Sequence, residues 1–489
     1  MHDKISVAVL LTTMLCAGAF ARLSANAETT EGLPTAPLPQ AVNAQSAPVS
    51  TAPAQAPSQA QGTPGNPRTS RQPGAATPLS LTLKQAEALA IKNNPQISMA
   101  RLLALASQQV TREVRSDYWP TATGDITGVD AQSGSRITAG ALNNPIIFDR
   151  AAAGVMVSQL ITDFGRTRNL VSSANYRAKA EDENAVATKE QILLAVDRAF
   201  YGALQAQAVL TVAQQTVNAR QTVANQVQAL FQSKLKSELD LSFANVNLAQ
   251  AQLLLLDAQN NRDAAEATLS MVLGAPTLQK FQLVEEPGAP MAPPANVEDL
   301  ITQALAMRPE ILSLQYQYDS ARKFQTAERD LLFPSIRALG GVGDTAVGDA
   351  AVAPSPGALN NTYGAVGANM QIPLFNGFLY TARAREAKLR AQATDERLRD
   401  TRNLIARAVR TSWLNASTAY HRLTVTQELV QQANLSLNLA QSRYDLGLGS
   451  IVELSQAQLQ QTQAQIGFAQ ATYDYRLSLA VLAYETTGI

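Results

Sequence analysis

Residues 196–231 read VDRAFYGALQAQAVLTVAQQTVNARQTVANQVQALF. Steps of three and four from Val196 fall on Ala199, Ala203, Ala206, Leu210, Ala213, Val217, Arg220, Ala224, Val227 and Phe231, and only Arg220 interrupts the apolar stripe. That is coiled-coil spacing, and its many alanines let neighbouring backbones approach closely. No proline lies between Arg166 and Gln232, so the spacing predicts one helix of about 65 residues, roughly 100 Å long at the α-helical rise. A rod of that length cannot fold into one ball. It must lie beside other rods, its own or a partner's.

Outward from this stretch, the same order of signals occurs twice. Asn94-Pro95-Gln96-Ile97 answers Arg308-Pro309-Glu310-Ile311 (309 − 95 = 214), and Tyr118-Trp119-Pro120 answers Leu332-Phe333-Pro334 at the same offset. Asp163-Phe164-Gly165 answers Phe375-Asn376-Gly377, and Arg198-Ala199-Phe200-Tyr201 answers Arg410-Thr411-Ser412-Trp413 (410 − 198 = 212). Leu239-Asp240-Leu241-Ser242 answers Val452-Glu453-Leu454-Ser455 (453 − 240 = 213). Five ordered matches at near-constant spacing identify a tandem duplication, with repeats over 79–275 and 297–489 and a linker at 276–296.

Each copy is expected to hold a first helix, Thr82 to Tyr118 and Val297 to Leu332, broken near its start by Pro95 or Pro309. A glycine-bearing region of roughly 40 residues follows, too long for a structureless loop. Then come the long helices, Arg166 to Gln232 and Phe378 to Tyr444, a short break, and last helices ending near Val272 and Tyr484.

The glycine-bearing regions alternate as strands do. Val155, Val157, Gln159 and Ile161 alternate with Gly154, Met156, Ser158 and Leu160, and Tyr363, Ala365, Gly367, Asn369 and Gln371 with Gly364, Val366, Ala368, Met370 and Ile372. Shorter candidates are Thr121 to Val129 and Ser335 to Gly343, the latter followed by a loop from Asp344 to Asn361. Membrane strands carry only a weak signal each, and soluble hairpins capping a helical bundle fit the same pattern. If the strands do enter lipid, four per chain cannot close a barrel, and open edges there leave backbone groups unsatisfied. Three chains would supply twelve strands, above the minimum of about eight. Two chains also reach that minimum, so counting alone leaves trimer and dimer open.

At the N-terminus, His2 and Lys4 precede an apolar run from Ile5 to Phe20, and Ala25-Asn26-Ala27 offers a small-x-small cleavage site. Residues 1–27 therefore read as a secretory signal peptide, with a second possible cut after Ala21. Residues 28–78 are rich in Pro, Ala and Gln and read as an extended tether. Past the leader no run of 18 apolar residues suggests a transmembrane helix.

Charge is balanced, with 39 Lys+Arg against 39 Asp+Glu, so no basic field points to nucleic acid. The single cysteine, Cys16, lies in the leader, and only His421 remains beyond it. Zinc, haem and thiol chemistry lack ligands, and no Ser/His/Asp set or phosphate-cradling loop stands out. The reading assigns no catalytic, cofactor or metal residue, and no enzyme.

The duplicated helix–strand–strand–long-helix–helix unit, the Asn94-Pro95 and Arg308-Pro309 elements, and Gly449-Ser450-Ile451-Val452-Glu453-Leu454 together resemble the TolC-type outer-membrane efflux and secretion proteins, from about Leu79 to Gly488. The resemblance implies an α+β membrane protein. Its duplicated long helical hairpins would form an α-barrel, and its four strands would contribute to a trimeric 12-stranded β-barrel. It implies an outer-membrane channel subunit of a tripartite efflux or type I secretion system. Such a homotrimer sits in outer-membrane lipid, extends into the periplasm, and works with a periplasmic adaptor and an inner-membrane pump, without cofactor.

By the same resemblance, Tyr444 and Asp240 fall where links hold the pore entrance shut, and Glu453 falls where a carboxylate ring narrows it. Threefold symmetry would make Glu453 a cation filter. Gly449 and Gln456 depart from positions where relatives carry an arginine link and a second acidic ring, which implies a looser gate and a weaker ring. The same two acids also fit ordinary helix-start carboxylates favoured by the helix dipole. A non-pore periplasmic or surface coiled-coil scaffold is the alternative to a channel.

Overall fold

The computed structural model describes residues 79–130, 150–275, 281–285, 292–348 and 362–487. The leader, the tether and much of the 344–361 loop lie outside them. Fourteen elements run in the order β1 (Leu79–Leu81), α1 (Leu83–Asn93), α2 (Pro95–Ser116), β2 (Thr121–Val129), β3 (Arg150–Thr162), α3 (Arg166–Gln232), α4 (Glu238–Val272), β4 (Phe281–Leu283), α5 (Val297–Met307), α6 (Pro309–Asp330), β5 (Ser335–Gly348), β6 (Thr362–Gln371), α7 (Leu379–Asp445) and α8 (Ile451–Thr487).

The duplication is visible in helix lengths. α1 and α5 are both 11 residues long, α2 and α6 both 22, α3 and α7 both 67, and α4 and α8 are 35 and 37. Pro95 and Pro309 each open a new helix, where a missing N–H costs nothing. The first helix of each copy is therefore two helices joined at Asn94 or Arg308. The Asn94 amide donates to Val272 O at 2.9 Å. Arg308 forks onto Glu310 and reaches the Glu485 carboxylate and carbonyl. Both junctions thus grip the end of the last helix of their own copy.

Strands hand over to the long helices through left-handed residues in both copies, Phe164 and Gly165 in the first and Gly377 and Phe378 in the second. In the first copy the Asp163 carboxylate accepts from Gly165 N and Thr167 N, capping α3.

One sheet has the order β2-β3-β5-β6, antiparallel throughout. Val342 sits opposite Val155, and Tyr363 opposite Gly343. The Tyr363 hydroxyl also covers Gly154, where a Cβ would meet it at 2.7 Å, so that glycine leaves room for the ring. β5 runs to Gly348, five residues past the expected Gly343 (348 − 343), because Asp344 to Gly348 continue the pairing with β3. Both edges, β2 and β6, are unpaired among the described residues, and every residue of β6 is exposed. Ile126 and Val366 are 91% and 92% exposed. No helix among the described residues is long and apolar enough to cross a membrane.

Elsewhere, β1 and β4 form a short parallel pair over the main helical core. There Leu81, Ala86, Ala90, Val196, Phe200, Ala203 and Leu269 are buried together. α3 packs along α4, α2 and α6, and meets α8 of the second hairpin. The 196–231 stripe lies in these contacts, with Val196, Ala199, Ala203, Ala213, Ala224 and Val227 all buried.

Candidate functional site at the hairpin tips

Each long helix turns back at a tip of five residues, Ser233 to Ser237 in the first hairpin and Leu446 to Ser450 in the second. A buried cluster of Ala224, Val227, Ala244, Tyr444, Ile451 and Leu454 joins the two, with Val223, Leu241, Phe243, Leu248 and Leu437 packed around it. Above it the Asn247 amide donates to Ser455 Oγ at 2.7 Å, linking α4 to α8.

Tyr444 is the centre of this cluster. It is 6% exposed, and Lys236 Nζ sits 4.0 Å from its ring centroid, a cation–π contact between the two hairpins. Burial first, and then the charges of Asp240 and Asp445, hold its hydroxyl above the ordinary tyrosine range. It is therefore a neutral hydroxyl in all ordinary conditions. No hydrogen-bond partner for it is present among the described residues, so one buried donor is left to spare.

Asp240 occupies the third position of α4 and closes a capping box. Its Oδ2 accepts from Ser237 N at 3.1 Å and from Ser237 Oγ at 2.9 Å, while Asp240 N donates to Ser237 Oγ at 3.2 Å. Glu453 takes the equivalent position in α8 but behaves differently. Its N–H donates to Ser450 Oγ at 3.1 Å, while its carboxylate turns to Arg443 Nε at 3.2 Å. The structure thus brings Tyr444 and Asp240 into one neighbourhood and places Glu453 on another face. There Glu453 and Gln456 are exposed along a groove with Leu439 and Arg443.

Gly449 has a local physical reason. A Cβ there would lie 3.2 Å from both Arg443 Cβ and Tyr444 N, while its N–H donates to Arg443 O. Any larger residue must push the turn outward.

Sequence reasoning did not single out Arg443 or Lys236. Arg443 and Glu453 flank one short turn, which is a usable signal for a pair across it. Lys236 and Tyr444 are far apart in sequence, and no local pattern announces their contact.

The chain matches the family described as outer membrane efflux protein over residues 88–275 and 300–484. It is 21% identical over 402 residues to the outer membrane efflux protein BepC of Brucella suis biovar 1, covering 81% of this chain and 83% of that one. It is 26% identical over 324 residues to the alkaline protease secretion protein AprF of Pseudomonas aeruginosa, covering 63% of this chain and 64% of that one. In fold it is similar to the Campylobacter jejuni CmeC outer membrane channel, with a TM-score of 0.71 at 18% identity over 83% of this chain and 85% of that one.

Proposed function

Since the chain belongs to the outer membrane efflux protein family and is an outer-membrane channel subunit of efflux or secretion systems, we propose that three copies close into one passive, non-enzymatic duct whose periplasmic mouth is gated at the hairpin tips. The observation that carries this reading is the sheet with two open edges. Twelve strands from three chains would satisfy both edges in lipid. An apolar patch formed by Val155, Val157, Val342 and Val366 supplies a surface suited to the bilayer.

The helices support the same closure. Within the chain the hairpins meet mainly through α3 and α8, with a smaller contact of α4 on α8 beside the tips, so the sides of α4 and α7 turned away from that seam are the outer flanks of the paired hairpins. α4 exposes Leu239, Val246 and Leu253 at heptad spacing, and α7 exposes Val425, Leu429, Leu435 and Leu439. Unpartnered stripes of this kind fit one another in a ring of hairpins. Leu253 and Leu429 stand at similar heights above their tips (253 − 238 = 15; 445 − 429 = 16). The pairing is tested by Leu253→Cys combined with Leu429→Cys. Oxidation should yield covalent oligomers of three chains, and exclusive intrachain or absent cross-linking would refute it.

The gate is assigned to Tyr444, Asp240 and Glu453. Tyr444 offers its spare hydroxyl at the seam between hairpins, and Glu453 is exposed beside Gln456. Three Glu453 carboxylates around one axis would favour cations. Glu453→Ala should lower the cation selectivity of single channels in planar bilayers. Unchanged selectivity would remove Glu453 from the pore.

Upstream, residues 1–27 are a leader and 28–78 a tether, followed by repeats 79–275 and 297–489 around the 276–296 linker. An inner-membrane pump working through a periplasmic adaptor at the tips provides the energy for transport.

A further inference from the structure

The middle of α3 carries two acids for which the channel reading has no use. Glu190 and Asp197 are 8% and 4% exposed. They lie seven residues apart (197 − 190), about two turns along one side of the rod. Each keeps one buried oxygen without a hydrogen-bond partner, Oε2 of Glu190 and Oδ1 of Asp197.

What faces them is largely negative. Asp197 lies beside the Glu87 carboxyl of α1, which packs on α3 there. Around this pair stand Tyr201 of α3, Glu285 just after β4, and Tyr473 and Arg476 of α8. The Arg476 guanidinium is held by Glu285 at 2.7 Å, and Tyr473 Oη donates to Glu285 at 3.3 Å. Glu190 faces Glu310 and Arg308 at the α5–α6 junction, with Lys189 and Glu183 on α3 itself. Arg308 is committed to Glu310 and Glu485.

Two carboxyl groups can hydrogen-bond to each other only if one holds a proton. We propose that Asp197 acts as a proton-holding latch that seats α1 on the middle of α3, by sharing its proton with Glu87. Burial first, and the neighbouring carboxylates second, push each acid up to about 7. In a locally opened state the same acids meet water and ionise near pH 4. The opened state therefore sheds its protons from about pH 4 upward, while the seated state keeps them until about pH 7. Seating loses ground as pH rises through that window and is weakest above it. Because α3 continues unbroken from this girdle to the tip, the latch would couple pH to the stiffness of the rod that ends in the gate.

Hydrogen exchange on the full-length protein in detergent tests this. After correction for the intrinsic pH dependence of exchange, protection of the 83–93 amides should fall at least about tenfold from pH 5 to pH 8, while β3 stays unchanged. Asp197→Asn donates to Glu87 without titrating and should flatten the dependence. Glu87→Gln, which donates to the ionised Asp197, should lessen the dependence without abolishing it, since burial still raises Asp197, and serves if the first variant fails to fold. Infrared spectra of the native protein should carry the carbonyl band of a protonated carboxylic acid near neutral pH, reduced in Asp197→Asn. A pH-independent native girdle, an equal fall in both variants, or no acid band would overturn the proposal.

Discussion

The two hairpin tips are the same turn built twice from different materials. Lys234 and Gly447 are equivalent at the repeat offset (447 − 234 = 213), and both are left-handed, at φ 58° and φ 75°. The first tip accepts a lysine in that conformation and secures it with side chains, through the Ser237–Asp240 capping box and Lys236 over Tyr444. The second uses glycine twice and leaves its own acid, Glu453, free to pair with Arg443 instead of folding back on Ser450. After duplication one tip became a clamp that reaches across to its neighbour. The other became a turn whose charged side chains remain available outside.

The sharpest way to break this comparison is at its aromatic pair, Phe231 and Tyr444, which are equivalent residues (444 − 231 = 213). Tyr444 is buried and central, whereas Phe231 is half-buried. Tyr444→Ala should destabilise the tip cluster by about 3–5 kcal/mol, in the range of buried aromatic truncations, and raise the resting leak of the channel. Phe231→Ala should cost clearly less. Equal losses of hydrogen-exchange protection across both tips would mean that the clamp does not lie at Tyr444.

A smaller effect follows from the left-handed residues. Nothing lies within 4 Å of a Cβ at Gly447, so Gly447→Ala should cost only backbone strain, about 1–2 kcal/mol. Lys234→Gly should move the first tip in the opposite direction, less the extra freedom that glycine gives the unfolded chain. Two changes of the same sign would contradict the equivalence.

The smallest difference lies in the caps. Ser237→Ala removes a reciprocal box and should cost about 1 kcal/mol, whereas Ser450→Ala removes one bond and should cost less. Arg443→Ala should cost under about 1 kcal/mol, because its pair with Glu453 is solvent-exposed. Thermal melts of the tip variants rank these effects.

Much of the architecture was readable from residues alone because its signals are long and repeated. An apolar stripe from Val196 to Phe231, interrupted only by Arg220, fixes a rod, and Pro95 with Pro309 marks matching breaks. The four strands were found where glycine and alternation coincide. β1 and β4 were missed, since three residues show no period, and their pairing depends on Leu81 and Phe281 meeting in a core assembled from distant segments. At the tips, Tyr444, Asp240 and Glu453 were named through resemblance, but their division into two neighbourhoods required coordinates. Asp197 gave no warning. It lies beside the stripe and reads as a solvent-facing charge until α1 covers it.

In the proposed assembly one chain is a third of a closed wall. The mass of the purified protein particle in detergent, corrected for bound detergent by light scattering or sedimentation, tests that most directly. A particle of three chains is the expected result, and a stable particle of one or two chains would contradict it.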